Sequence, residues 1–477
     1  MTAATARLSE RTAPVPRPER TGIVHLGLGA FHRAHQAVYT EDAMRTAGDP
    51  GWGICGVTQR SDAVLRRLAP QDLLYTVLER GPGARPPRVV GAVREILAGH
   101  RDPAGVVAAI ARPDVRIVTL TVTEKGYRHD PATGDLDLAD QEIAADLAGR
   151  PPRTVIGQLV AGLAARTAPL TVVCCDNLSG NGPFLEGLVR QFAAAAGRAE
   201  VADRIGSAIR FPSTMVDRIV PATTEADRAD VRASTGLDDE AVVVAEPFSQ
   251  WVVEDDFAAG RPAWEQAGVQ FTNDVEPWER LKLRVLNASH SLLAYLGLLA
   301  GHALIADAVA DPLLSAACRA LIQDDVRPVL TPPSGVDVTG YGESVLARFA
   351  NPALRHTTIQ VASDGSQKLG PRLLSTALDG LAAGRPARWV PIVVAAWLRH
   401  ATDPRDAAGQ PAELADPLAG LLRAAGPDPL ALLDVRSVFP AELDRDRRFR
   451  SDVRTAFAGL AARGPRAVLT EMLDDPR

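Results

Sequence analysis

At 477 residues the chain exceeds what one hydrophobic core supports, so two domains of roughly 200 residues are expected, and a 46% hydrophobic content can fill both. The formal net charge of -6 lacks the basic excess that binding to phosphate backbones needs, which removes nucleic acid from the expected partners. The cysteines Cys55, Cys174, Cys175 and Cys318 form no CxxC pair and no run of eighteen apolar residues occurs, so the expectation is a cytoplasmic protein without zinc, disulfides or a membrane span.

Residues 1–20 carry Arg7, Glu10, Arg11, Pro14 and Pro16 and read as a flexible tail. The apolar run 23–26 then ends at Gly27, a helical pattern begins near Phe31, and a second strand follows at 53–57, as in a βαβ unit. Strand-like runs at 115–122 and 170–175 alternate with helical stretches at 103–111 and 155–166, which predicts a mostly parallel, doubly wound sheet. From about Glu279 helical patterns take over at 281–299, 313–321, 343–350, 371–383 and 389–400. The expected fold class is therefore α/β: a Rossmann-like dinucleotide-binding domain over 21–278, then a mainly α-helical substrate and catalytic domain over 279–477.

Gly27 and Gly29 sit where the first strand feeds a helix, so a pyrophosphate could approach the backbone and meet the helix N-terminus. The third glycine of G-x-G-x-x-G is absent: Phe31, His32 and Arg33 occupy that stretch, and all three are candidates for cofactor contact. At the end of the second strand Asp62 suits the ribose hydroxyls of NAD and Arg60 the extra phosphate of NADP. NAD is preferred, with NADP left open.

Only three of the 52 basic residues are lysine, namely Lys125, Lys282 and Lys368. Guanidinium stays protonated, whereas a buried ammonium can lose its proton, so lysines spared in an arginine-rich chain are candidates for acid–base work. In LKLRVLNASHS, Lys282 precedes Asn287 and His290 on a helical pattern. At about 100° per residue, positions +5 and +8 fall about 140° and 80° from the first, on one side of the helix. Such a trio meets the needs of hydride transfer from a secondary alcohol: a base for the hydroxyl proton, a donor for the developing oxyanion, and a group that orients the substrate. CCDNLSGNG closes a strand at the sheet edge where ligands of open α/β folds bind, and Asn177 there offers a second neutral donor.

Taken with VHLGLGAFHRAHQ, LTVTEKGY, FPSTMVDRIVP, EPFSQWVVEDDF and RFANPALRHTTIQVASDGSQKL, these stretches resemble the mannitol dehydrogenase family of long-chain polyol dehydrogenases over about residues 22–460. The resemblance implies a metal-free mechanism with Lys282 as acid/base, Asn177 and Asn287 as oxyanion donors and His290 as substrate-orienting residue. It implies further active-site acids at Glu124 and Asp217, a proton-path carboxylate at Glu279 and a substrate contact at Lys368. Lys125 falls inside a family motif without an assigned role.

The fructuronate reductase branch is the nearest likeness, through TVTEKGY and DGSQK. Thr357 and Ile359 nevertheless replace that branch's arginine and tryptophan, and Gln360 stands where mannitol dehydrogenases carry arginine. Arg355 and Arg372 are candidate replacements for holding a sugar carboxylate. The expected reaction is interconversion of D-mannonate and D-fructuronate, with oxidation of mannitol or a related polyol as the alternative and a non-catalytic nucleotide sensor as the remote one. The enzyme is expected to be a monomer or weak oligomer.

Overall fold

The computed structural model describes residues 5–130, 133–424 and 428–475. The chain divides into two compact units, Met1–Val275 and Glu276–Arg477.

In the first unit six strands form one sheet: β1 (Thr21–Leu26), β2 (Gly53–Thr58), β3 (Val93–Ala98), β4 (Ile117–Leu120), β5 (Leu170–Cys174) and β6 (Ile209–Arg210). Their order is β3-β2-β1-β4-β5-β6, and every pairing is parallel. The order reverses between β1 and β4, which opens a crevice at the carboxyl end of β1, where dinucleotides bind in such sheets. Every residue of β1, β2, β4 and β5 is buried, as strands covered on both faces must be, and this explains their mainly apolar sequences. The helices Pro103–Ala111 and Val155–Ala164 start where expected, fixed by Asp102 and Thr154 accepting N–H groups of their first turns. The short β6 and the half-polar β3 (VREILA) carry too little hydrophobic signal to be anticipated.

The segment expected to be a flexible tail is held down from residue 5 onward. Ala6–Arg7 pairs in parallel with Leu237–Asp238, Leu8 is 1% exposed, and Arg17 donates to the Gly91 and Val93 carbonyls at 2.9 Å each.

The second unit is helical, and its described residues contain isolated β-bridges but no strand. Its central rod begins at Glu276–Leu281, passes through a π-helical turn at Lys282–Asn287 and continues as Ala288–Leu299. Residues 288–298 are all buried, and Val390–Thr402 packs against this rod and against the long C-terminal helix Arg447–Asp474. That last helix kinks at Gly464 (φ 76°) beside Pro465.

One polar group inside the first unit has a measurable consequence. His25 on β1 is fully buried, with Nδ1 2.7 Å from Thr119 Oγ1 and Nε2 2.9 Å from Thr121 Oγ1 on the neighbouring β4 edge. Burial lowers its pKa to about 3. The folded chain therefore favours the neutral ring, so this stabilisation is full above the unfolded value near 6.5 and is lost as pH falls toward 3. Between pH 7 and pH 5 the first unit should lose about 2 kcal/mol through this residue. Urea unfolding at both pH values, with His25→Gln as reference, reads the loss; identical pH dependence in the two proteins would contradict it.

Candidate active site

The turn after β1 is fixed by the N–H groups of Gly27 and Leu28, both donating to Val57 O at 2.9 Å. Gly27 adopts φ +100°, and a Cβ there would collide with the Thr121 carbonyl oxygen, so only glycine fits. A Cβ on Gly29 would instead meet nothing nearer than Gly27 O at 3.7 Å. The first glycine shapes the turn, and the second leaves backbone open to a close ligand. With the sheet order, this cradle fits a dinucleotide diphosphate.

The residues following the turn divide. Phe31 is partly exposed and stacks on His35 at 4.9 Å. His32 and Arg33, expected to contact cofactor, are buried beneath the turn. The His32 ring stacks on His25 with centroids 3.4 Å apart and planes 15° from parallel, and Arg33 Nη1 donates to Ala241 O at 2.6 Å. An imidazole pair thus fills the space between helix and strand that a third glycine would close, and both side chains support the turn from below. Burial, then the neighbouring His25, His35 and Arg33, hold the His32 pKa well under its usual value, so the pair is uncharged. Asp62 stands just past β2 as expected, but its carboxylate is 5% exposed and ion-paired with Arg101 and Arg66 (3.9 Å), with His100 Nε2 3.2 Å away.

At the carboxyl edge of the sheet the CCDNLSGNG cluster also splits by role. Asp176 accepts from Tyr127 Oη (2.6 Å) and from the Val122 and Thr123 N–H groups (2.9 and 3.0 Å), tying two strand ends together, while burial pushes its pKa up. Asn181 is buried and pairs its amide with the Thr214 backbone at 2.8 and 2.9 Å. Asn177, between them, is exposed. Glu124 is half-buried in the 3-10 turn Glu124–Tyr127, Lys125 beside it is exposed, and Asp217 is buried as the last residue of Thr214–Asp217.

In the second unit the π turn carries the catalytic candidates. The Ala288 N–H donates to Leu283 O, five residues back, so each residue of this turn sits nearly above the one five earlier. Lys282 and Asn287 are five apart and thereby share a face more closely than a regular helix allows. His290 follows three residues on, in α geometry, on that same face. Lys282 is 7% exposed and Asn287 partly exposed. Arg284, on the turn between them, is tied to Asp379 at 2.6 Å.

Around His290 the ring of Phe349 stacks at 4.6 Å and that of His356 lies edge-on at 4.9 Å, while His290 Nε2 is buried without a hydrogen-bond partner. Burial lowers the His290 pKa well below its usual value, assisted by His356, Arg372, Lys368 and Arg348. Lys368 Nζ donates to Ser363 O (2.5 Å) and Val361 O (3.3 Å), and Arg372 Nη1 to Ser291 Oγ (3.1 Å). Glu279 is half-buried one turn before Lys282. Thr357 and Gln360 form a capping box on Thr358–Ala362, with Gln360 Oε1 accepting from Thr357 N at 3.4 Å. His356, Phe349 and Arg348 were not anticipated, since they lie on elements whose approach to His290 has no local sequence signal. The described residues hold no cluster of three or more His, Cys, Asp or Glu able to bind a metal, and no helix among them is long and apolar enough to cross a membrane.

A sheet of order 3-2-1-4-5-6 with a glycine turn at its switch point, in a chain whose helical unit presents a buried lysine beside an amide and an imidazole, defines an oxidoreductase acting on CH–OH groups. The chain belongs to the mannitol dehydrogenase family: the family's Rossmann domain matches residues 21–266 and its C-terminal domain residues 274–461. It is 40% identical over 474 residues to D-mannonate oxidoreductase of Escherichia coli (strain K12), covering 95% of this chain and 97% of that protein. It is 39% identical over 461 residues to mannitol 2-dehydrogenase of Pyrenophora tritici-repentis (strain Pt-1C-BFP), covering 94% and 81%. Its fold matches the ternary complex of Pseudomonas fluorescens mannitol 2-dehydrogenase with NAD and D-mannitol at a TM-score of 0.89 and 37% identity, over 98% of this chain and all of that one.

The two glycines should respond differently to substitution. Gly27→Ala should destabilise the first unit by about 1–3 kcal/mol and abolish NADH binding, because the backbone cannot keep φ +100° against Thr121. Gly29→Ala should cost under about 1 kcal/mol yet still weaken NADH binding. Denaturant midpoints with fluorescence titration test the contrast, which equal destabilisation by the two variants would refute.

Proposed function

We propose that this chain uses NAD(H), without a metal, to interconvert a secondary alcohol and a ketone on a sugar acid of the D-mannonate/D-fructuronate type. The observation that carries the acid reading is the charge around His290. Arg372, Lys368 and Arg348 all bear on its ring, and all three are cationic, as suits a substrate carboxylate. Gln360 carries no charge and caps Thr358–Ala362, so recognition of a carboxylate is assigned to the cationic Arg372 and Lys368.

Gly27, Gly29 and Phe31 would hold the dinucleotide, with Asp62 supporting its ribose end through the ion pair with Arg101. When bound, it supplies the hydride acceptor in oxidation and the hydride donor in reduction. Lys282, 7% exposed on the π turn, takes the hydroxyl proton as the alcohol is oxidised and returns it in the reverse direction. Asn287 donates to the developing oxyanion. His290, kept neutral, offers Nε2 to a substrate hydroxyl. Glu279 is the carboxylate through which the lysine exchanges its proton with solvent. In the first unit Asn177 presents its amide at the sheet edge where ligands of this fold bind, and Glu124 and Asp217 are assigned to substrate binding. A cytoplasmic setting, in which thiols stay reduced, suits the four buried cysteines.

A neutral polyol is the second reading, favoured by the D-mannitol bound in the Pseudomonas fluorescens relative. Initial rates with fructuronate and fructose separate the two: the acid reading requires the higher kcat/KM for fructuronate and fails if fructose is preferred. Lys282→Ala should lower kcat by about 10²–10⁴-fold with NADH affinity unchanged. Near-normal turnover in that variant would eliminate the proposed proton transfer.

A further inference from the structure

The loop after β3 brings a cluster of cations to the end of β2. In the register of the two strands Ala98 lies opposite Thr58, and the Gly99 N–H donates to Thr58 O at 2.8 Å. The chain then turns back, with the Arg101 and Asp102 N–H groups donating to Ala98 O at 2.9 Å each. This places His100 and Arg101 against Asp62, which Arg66 approaches from the following helix, Ala63–Leu68. Arg60, two residues before Asp62, is exposed and forms no ion pair among the described residues.

An acidic residue at this place selects NAD by accepting ribose hydroxyl hydrogen bonds and repelling a 2′-phosphate. Here the carboxylate is 5% exposed and already neutralised, while Arg101 and Arg66 remain 67% and 70% exposed. Counting Arg60, Arg66 and Arg101 against Asp62 leaves an excess of positive charge. Guanidinium forks match phosphate geometry and bind it through charge-assisted hydrogen bonds.

We infer that the end of β2 is a phosphate subsite, so that this chain accepts a 2′-phosphorylated dinucleotide as well as NAD(H). Arg101 and Arg60 clasp the phosphate, and Asp62 acts as the anchor that holds Arg101 in position instead of as a barrier. The inference rests on reading the first unit as dinucleotide-binding.

Fluorescence titration of the full chain with NADH and with NADPH tests it without recourse to turnover. NADPH should bind within about tenfold of NADH, and Arg101→Ala should weaken NADPH by about tenfold or more while changing NADH by less than about threefold. Arg60→Ala should act in the same direction, and both side chains are exposed, so folding is spared. NADPH binding more than about tenfold weaker than NADH, or equal loss of both cofactors in Arg101→Ala, overturns the subsite. Failure of NADH itself to bind overturns the dinucleotide reading, and this inference with it.

Discussion

The grouping of Lys282, Asn287 and His290 depends on a single change of helical pitch. A lysine five residues from an asparagine points well away from it on a regular α-helix, and the π turn at Lys282–Asn287 brings the two onto one face. Its surroundings reinforce the turn's own hydrogen bond from Ala288 N–H to Leu283 O. Two other π turns, Leu321–Val326 and Gly370–Leu374, pack against it, and the Arg284–Asp379 pair fixes its middle. Burying an ammonium group costs free energy unless it is paired or can shed its proton. The packing that enforces the π turn also buries Lys282, the residue proposed as the base.

Unit 1 solves a comparable problem with neutral imidazoles. Its turn lacks the glycine that normally lets helix and strand approach, and the stacked His25 and His32 rings occupy the space. Because both rings are uncharged, they add bulk beneath the nucleotide cradle without a cation whose burial would have to be compensated. His25 further joins β1 to β4 through Thr119 and Thr121, the two strands that flank the crevice.

Much of this was legible from sequence where the signal is local. The doubly buried strands are visible as mainly apolar runs, the helices at 103–111 and 155–164 as helical patterns, and Lys282 stands out through the scarcity of lysine. What stayed hidden depends on contacts distant in sequence. His356 and Phe349 reach His290 only through the packing of helices, and β3 pairs with β2 despite a half-polar sequence. The burial of His32 and Arg33 could not be separated from cofactor contact by pattern, since a motif position does not reveal which side of the turn a side chain takes. The π turn was likewise invisible, because an angular estimate assumes one constant pitch.

The central claim is that the Lys282 amine itself moves the substrate proton. The most direct measurement is kcat of Lys282→Ala in the presence of a series of primary alkylamines. The account predicts saturable recovery of turnover in that variant, rising with amine basicity, and no recovery in His290→Ala under the same conditions. Absence of recovery at any amine, or equal recovery in both variants, would contradict it.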